Sequence, residues 1–432
     1  MALTGKRTFV GLGFGAIQAG LFLYEAYRSG GFGRLVVGEV VPDVVSALRG
    51  TGGWYSLNVA HPDRVEVCRV GPVEIESTMS PSGIERLIDA VAAAEEISTA
   101  VPSVRNYVAT GPGSIHRILA AGLRRKAAAG GPRAVVYAAE NHNHAAEILE
   151  AAVLEEVPAP EKDAVSGRVR FLNTVIGKMS GVISEPEEIR AHGLVTVTPE
   201  GKRAFLVEVF NRILISQVCF EEPRFERGIA VFKEKDDLLP FEEAKLYGHN
   251  ATHALAAYLC AQRGLGRIAE LREFPALLNF VREAFLKESG AALIRKHGGK
   301  DALFTPAGYQ EYADDLLERM TNAHLLDTVE RVGRDPHRKL GWDDRLIGTM
   351  RVALQQNVAP RRYALGAAAA LAALTPSFLE GTKSAGELLA PLWENAAMGS
   401  QEKTEVLALI DDARPRLKHW RESGFQNLED SL

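Results

Sequence analysis

Three cysteines, Cys68, Cys219 and Cys260, are spread through 432 residues. They are too few, too far apart and of the wrong parity for a disulfide framework or a zinc knuckle, and they suit a reducing compartment. Positive charge is not in excess either. Lys and Arg number 50 against 55 Asp and Glu, a formal net charge of −5, so nothing electrostatic argues for nucleic acid as the main partner. Long apolar runs are scarce. Lys6-Arg7 followed by TFVGLGFGAIQAGLFLY has the outline of an export signal. It is glycine-rich, short for a membrane span and followed closely by Glu25. A cytoplasmic globular start is the better reading, and no membrane partner is expected. The run LGAAAALAAL is preceded by Arg361-Arg362 and reads as a buried helix. There is no HExxH, no fixed-period repeat and no low-complexity tract. The length favours two domains.

The apolar N-terminal stretch has an order of its own. Thr8 to Leu12 reads as a short buried strand, Gly13-Phe14-Gly15 as a tight turn, and Ile17 to Arg28 as a helix closed by Gly30-Gly31. A glycine turn between strand and helix lets backbone approach a pyrophosphate, and the helix N-terminus at Ala16 and Ile17 offers its amides to the anion. Gln18 stands where a third glycine is usual, so the turn alone is weak evidence. RLVVGEV then reads as a second strand ending at Glu39. A carboxylate there accepts ribose hydroxyls and repels a 2′-phosphate, which favours NAD over NADP.

Gly83 to Ile97 looks helical, STAVPSV like the end of a strand, Ser114 to Gly130 helical, and PRAVVYAAEN like a buried strand with a polar end. Ligands of an open α/β sheet sit beyond the carboxyl ends of its strands, so Thr99-Ala100-Val101 and Glu140-Asn141 are expected to face cofactor or substrate, with Ala100 and Val101 as cofactor-binding residues. RVRFLNTVIG and AFLVEVFNRILI read as further strands. From Glu242 helical patterns dominate, and PRFERGIAVFKEKDDLLP is the best boundary. The expected organisation is a Rossmann-type dinucleotide-binding domain over residues 1–235 and a helical substrate and catalytic domain over 236–432, with a substrate site between them.

KLYGHNATH, residues 245 to 253, is the unusual stretch of the second half. On an ideal helix at about 100° per residue, Glu242, Lys245, His249, Asn250 and His253 share one face roughly 140° wide. Solvent, an ion-pair network or a substrate could satisfy that stripe. A partly buried lysine can lose its proton near neutral pH and serve as general base toward an alcohol. With a dinucleotide turn upstream, the catalytic reading is preferred.

PFEEAKLYGHNATH, DTVERVGRDPHRKLGWDDRLIG (residues 327 to 348) and AVVYAAEN (residues 134 to 141) together resemble the polyol-specific long-chain dehydrogenases, the mannitol dehydrogenase family. Within it they are most similar to the mannitol-1-phosphate 5-dehydrogenase group. The resemblance implies a Rossmann-type domain followed by a mostly α-helical one, NAD as cofactor and no catalytic metal. It implies that Lys245 is the general acid–base and that Asn250 and His253 hold the reacting oxygen. Asn141, Arg331 and Lys339 match substrate-side positions, and Glu242 matches a glutamate on the proton path. Members are often monomers. The expected activity interconverts mannitol 1-phosphate and fructose 6-phosphate or a close relative. Gly177 stands where relatives often carry aspartate, His142-Asn143-His144 where the phosphate-sugar enzymes carry an arginine, and His249 at a commonly apolar position. Those departures keep two rivals open: an unphosphorylated polyol or sugar acid as substrate, and an NAD(H)-binding sensor without turnover.

Overall fold

β1 (Arg7–Leu12) is buried on both faces, because Phe9 points into one apolar cluster while Val10 and Leu12 point into another. A strand covered on both sides belongs in the middle of a parallel sheet. In the computed structural model, which describes residues 6–221, 223–394, 396, 399–426 and 428–429, β1 is flanked by β2 (Phe32–Glu39) and β6 (Glu96–Thr99), both parallel to it. The other strands are β3 (Tyr55–Ala60), β4 (Val65–Val70), β5 (Glu74–Ser77), β7 (Ala134–Ala138), β8 (Val169–Val175), β9 (Ser180–Ile183), β10 (Ala204–Glu208), β11 (Leu214–Ser216) and β12 (Lys233–Lys235). The main sheet runs β12-β11-β8-β7-β6-β1-β2-β5. Its six strands from β8 to β5 are parallel. The order reverses at β1, the topological switch point where doubly wound sheets bind dinucleotides.

A second sheet, β4-β3-β10-β9, lies in the same half of the chain. AFLVEVFNRILI, expected as strand, is therefore divided. Ala204–Glu208 pairs in the small sheet, with Leu206 opposite Asn58, and Leu214–Ser216 crosses to pair with β8 in the large one. The helix expected to reach Ile97 stops at Ala93. Glu96 and Ile97 are claimed by the sheet, opposite Phe9 and Val10 on one side and Val135 and Val136 on the other. Tertiary pairing overrides helical periodicity here.

The chain divides into two compact units, Met1–Leu238 and Leu239–Leu432. The second is helical. Its central helix, Ala251–Arg263, is buried from Ala254 through Cys260. It packs on Arg361–Leu374, the alanine-rich run, which is buried from Tyr363 to Ala372. Gly366 permits the contact, since a β-carbon there would come within 2.6 Å of Leu255 Cδ1. Thr252 Oγ1 and Ser289 Oγ meet the buried Tyr363 hydroxyl at 2.7 and 3.0 Å. Among the described residues no helix is long and apolar enough to cross a membrane.

Candidate functional site

Gly13 follows β1 with φ at 91°, a region in which side chains are strained. A β-carbon there would also lie 2.8 Å from the Ala100 carbonyl oxygen. Glycine is required on both counts. At Gly15 an added β-carbon meets nothing within 4 Å, so that side of the turn is open. The helix beyond begins with the bond from Ala19 N–H to the Gly15 carbonyl at 2.9 Å. Its first amides, those of Ala16, Ile17 and Gln18, are left to an outside acceptor. An open glycine face beside helix-terminal donors fits a pyrophosphate. Ala100 N–H donates to the Leu12 carbonyl, and Val101 N–H to Glu140 Oε1 at 2.9 Å, so both sit at the strand ends flanking the turn.

Phe14 and Glu39 serve this turn differently from the sequence expectation. The Phe14 ring is buried and packs edge-on against Tyr55 and Phe205, with centroids 5.3 and 5.7 Å away. Its amide donates to Glu39 Oε2 at 2.8 Å, while Val40 and Val41 amides donate to Oε1 at 2.8 Å each. Glu39 therefore braces the turn from within, and Oε2 retains acceptor capacity for a ribose hydroxyl. Gln18, in the place of the third glycine, is wholly buried and accepts from Ser98 Oγ at 2.9 Å. The room it needs comes from the strand: a β-carbon on Gly11 would stand 2.2 Å from its side-chain nitrogen.

Asn141 is exposed beyond β7. Glu140 before it is buried, accepting from Thr99 Oγ1 at 2.9 Å and from the Tyr107 hydroxyl in a short contact. Burial pushes the Glu140 carboxyl up from its ordinary range. His142 and His144 are exposed with ring centroids 6.2 Å apart. Among the described residues no group of three or more His, Cys, Asp or Glu side chains is arranged to hold a metal.

In the second unit, Glu242 lies in the short helix Leu239–Glu243, and Lys245 to Asn250 lie in a π-helical turn, Ala244–Asn250. The ideal 100° spacing therefore does not hold across the motif. A π-turn inserts an extra residue per turn, a device common at functional sites. Gly248 makes this turn possible, for a β-carbon there would lie 2.8 Å from Tyr309 Oη and 2.9 Å from Phe285 Cε2. His249 is buried rather than on an open face, and Asn250 and His253 are partly buried at the start of the next helix.

The electrostatics of this turn are those of a cationic, poorly solvated site. Desolvation and the Arg345 guanidinium lower the Lys245 amine to about 8, partly opposed by Glu242. Desolvation, then Arg331, Arg345, Lys339 and Arg319, lower His253 to about 3. Desolvation, led among charges by Arg319, holds His249 well below its ordinary value. Lys339, buried on Pro336–Lys339, donates to the Arg334 carbonyl and is lowered to about 8 by desolvation and Arg345. Arg331 pairs with the buried Asp327 in a short contact, and burial lowers it too. Arg338 pairs with Asp335 at 3.1 Å, a surface contact.

The second unit thus brings together Lys245, His253, Arg331 and Lys339. Sequence reading missed Asp327 and Arg345, two members of the same cluster. Both lie inside DTVERVGRDPHRKLGWDDRLIG, but nothing in their spacing marks them.

Residues 7–225 match the mannitol dehydrogenase Rossmann domain, and residues 237–414 the mannitol dehydrogenase C-terminal domain. A mannitol-1-phosphate 5-dehydrogenase of Bacillus pumilus is 31% identical over 368 residues, covering 84% of this chain and 87% of its own. One from Pseudarthrobacter chlorophenolicus is 32% identical over 303 residues, 70% of each chain. The Pseudomonas fluorescens mannitol 2-dehydrogenase, solved with NAD and D-mannitol, has the same fold, with TM-score 0.73 and 18% identity over 100% of this chain and 96% of its own. With the switch-point glycine turn in place and both family domains matched, NAD is the cofactor. The chain belongs to the mannitol dehydrogenase family and is an NAD-dependent oxidoreductase acting on CH–OH groups.

Proposed function

We propose that the enzyme interconverts a polyol phosphate and a ketose phosphate, mannitol 1-phosphate and fructose 6-phosphate or a close relative. The observation that carries this reading is a lysine lowered to about 8 within a cluster of cations that would suit a phosphorylated sugar. Relatives named mannitol-1-phosphate 5-dehydrogenases support the same substrate class.

In the oxidative direction the unprotonated Lys245 amine takes the hydroxyl proton, and in the reductive direction its ammonium returns it to the carbonyl oxygen. Bound NAD supplies the hydride acceptor or donor. Asn250 donates to the reacting oxygen. His253, neutral across the working range, orients it without adding charge. Glu242, three residues before Lys245, passes the proton outward. Arg331, Lys339 and Asn141 bind the rest of the substrate. In the first unit, the amides of Ala16 and Ile17 beside Gly13 and Gly15 hold the pyrophosphate, and Ala100 and Val101 line the same strand ends. The free cysteines fit a cytoplasmic setting. A sugar acid is the second reading, since a carboxylate would also be drawn to these cations.

The experiment follows NADH absorbance with fructose 6-phosphate, fructose and tagaturonate, for wild type and Lys245→Ala. Oxidation with the phosphate ester, falling about 10²- to 10⁴-fold in the variant, supports the proposal. Turnover of tagaturonate alone moves the assignment to the sugar acid, and silence with all three removes it.

A further inference from the structure

Of the cations around Lys245, Arg331 is committed to Asp327, Lys339 to the Arg334 carbonyl, and Arg319 to Asp315 at 2.9 Å. Arg345 differs. Its Nε donates to Asp344 Oδ1 at 2.8 Å, and its backbone amide goes to the same oxygen at 2.7 Å. Among the described residues no protein acceptor meets its two terminal nitrogens, although the side chain is only 13% exposed. A guanidinium has five N–H donors and no acceptor, and neither terminal nitrogen of Arg345 is among the buried atoms left without a partner, so the fork keeps solvent within reach, which an anion could displace.

The backbone holds this fork in place. The Thr349 hydroxyl lies 3.0 Å from the Tyr247 carbonyl, inside the turn that carries Lys245, and 2.5 Å from the Arg345 carbonyl. Leu346 N–H donates to the Lys339 carbonyl at 3.3 Å. Arg345 is thereby fixed between the segments bearing Lys245 and Lys339.

We propose that Arg345 is a substrate-binding residue whose two terminal nitrogens take the anionic group of the substrate, a phosphate monoester, in a bidentate contact. Planar forks and phosphate oxygens match in this way, and a lysine ammonium does not reproduce the match. The proposal rests on the phosphate reading above. Its charge also falls on both Lys245 and Lys339, so an anion seated on it would reach the electrostatics of the proton-transfer group.

The test compares wild type, Arg345→Gln and Arg345→Lys, each first checked by thermal melting, in two assays. In the first, kcat/KM is measured for fructose 6-phosphate and for fructose. The ratio of the two should fall about 10- to 100-fold in Arg345→Gln, chiefly through KM, the range of a charge-assisted hydrogen bond. Arg345→Lys should recover only part of it. In the second, inorganic phosphate is titrated calorimetrically into the full chain. Wild type should bind it and Arg345→Gln should lose at least tenfold in affinity. An unchanged ratio together with unchanged phosphate binding overturns the assignment, as does wild type that binds no phosphate. If wild type is inactive with fructose 6-phosphate yet its phosphate binding depends on Arg345, the anion site stands and the phosphate-sugar reading falls.

Discussion

His253 Nε2 and Asp327 Oδ2 face each other at 3.6 Å, both buried and neither with a hydrogen-bond partner. The other Asp327 oxygen is taken by Arg331. One carboxylate thus stands between two side chains matched to the substrate side. With His253 neutral, only one ring nitrogen carries a proton, and a carboxylate at Nε2 favours the proton there. Asp327→Asn should therefore lower kcat about tenfold with a smaller change in KM, because orientation is lost and packing is kept. Asp327→Ala should cost about 1 kcal/mol of stability as well, a modest loss because the Arg331 side chain is 38% exposed and can turn to water. Steady-state kinetics and thermal melts check both, and a lowered melting temperature with normal kcat would leave Asp327 a structural role only.

Lys245 sets a pH dependence whose sign differs with direction. Its folded-state pKa is depressed to about 8, so the base form appears as pH rises through that value. Polyol oxidation should rise toward a plateau above pH 8. Ketose reduction, which needs the ammonium, should decline over the same window. Lys245→Ala should remove the inflection in both directions. The same depression means that the unfolded chain binds the extra proton between about pH 8 and 10.5, so this group's contribution to stability grows with pH there. Replacing Lys245 by methionine should accordingly raise the melting temperature at pH 7, where wild type holds a poorly solvated cation.

What could be read from sequence was local. Gly13-Phe14-Gly15 and the strand on each side of Gln18's helix follow from turn chemistry and periodicity within thirty or so residues. Lys245, Asn250 and His253 stand out as part of a polar stripe, to which resemblance adds their roles, and their wheel of angles rested on a regular helix that the structure does not have. The π-turn arises because Gly248 lies under Phe285 and Tyr309, residues that the local pattern does not connect to it. Asp327 reaches His253 across a long stretch of chain, and Leu206 finds Asn58 across a longer one. Such pairings are decided by tertiary burial, which periodicity does not encode. Glu39 is marked in the sequence by its place at a strand end, but its three amide partners are invisible from that position.

Gly248→Ala tests whether the π-turn matters to function. The intruding methyl would meet the hydroxyl of Tyr309, a fully buried ring with no hydrogen-bond partner, and the ring of Phe285. Overpacking of this kind costs about 1–3 kcal/mol. Relief by moving the turn would displace Lys245 and Asn250, so kcat should fall further than stability alone accounts for. Gly177→Ala is the control, since its added carbon would come no nearer than 3.8 Å to Phe210 Cε1 and should change stability by no more than about 0.5 kcal/mol.

Glu39 allows its bracing role to be separated from a role in reading the cofactor. Of its three donors, the Phe14 amide sits beside a buried ring, while Val40 and Val41 are 56% and 41% exposed and can turn to water. Glu39→Ala should therefore cost about 1–3 kcal/mol, the price of one orphaned buried donor rather than three. If bracing is all that Glu39 does, a loosened glycine turn should weaken NADH and NADPH by the same factor. If the carboxylate also reads the ribose, its loss removes an acceptor from one cofactor and a repulsion from the other. NADH affinity should then fall while NADPH affinity rises. Fluorescence titration of both nucleotides against wild type, Glu39→Ala and Glu39→Gln decides between the two. The second outcome is the one expected here, because Oε2 carries only one of the three bonds and has a lone pair to spare.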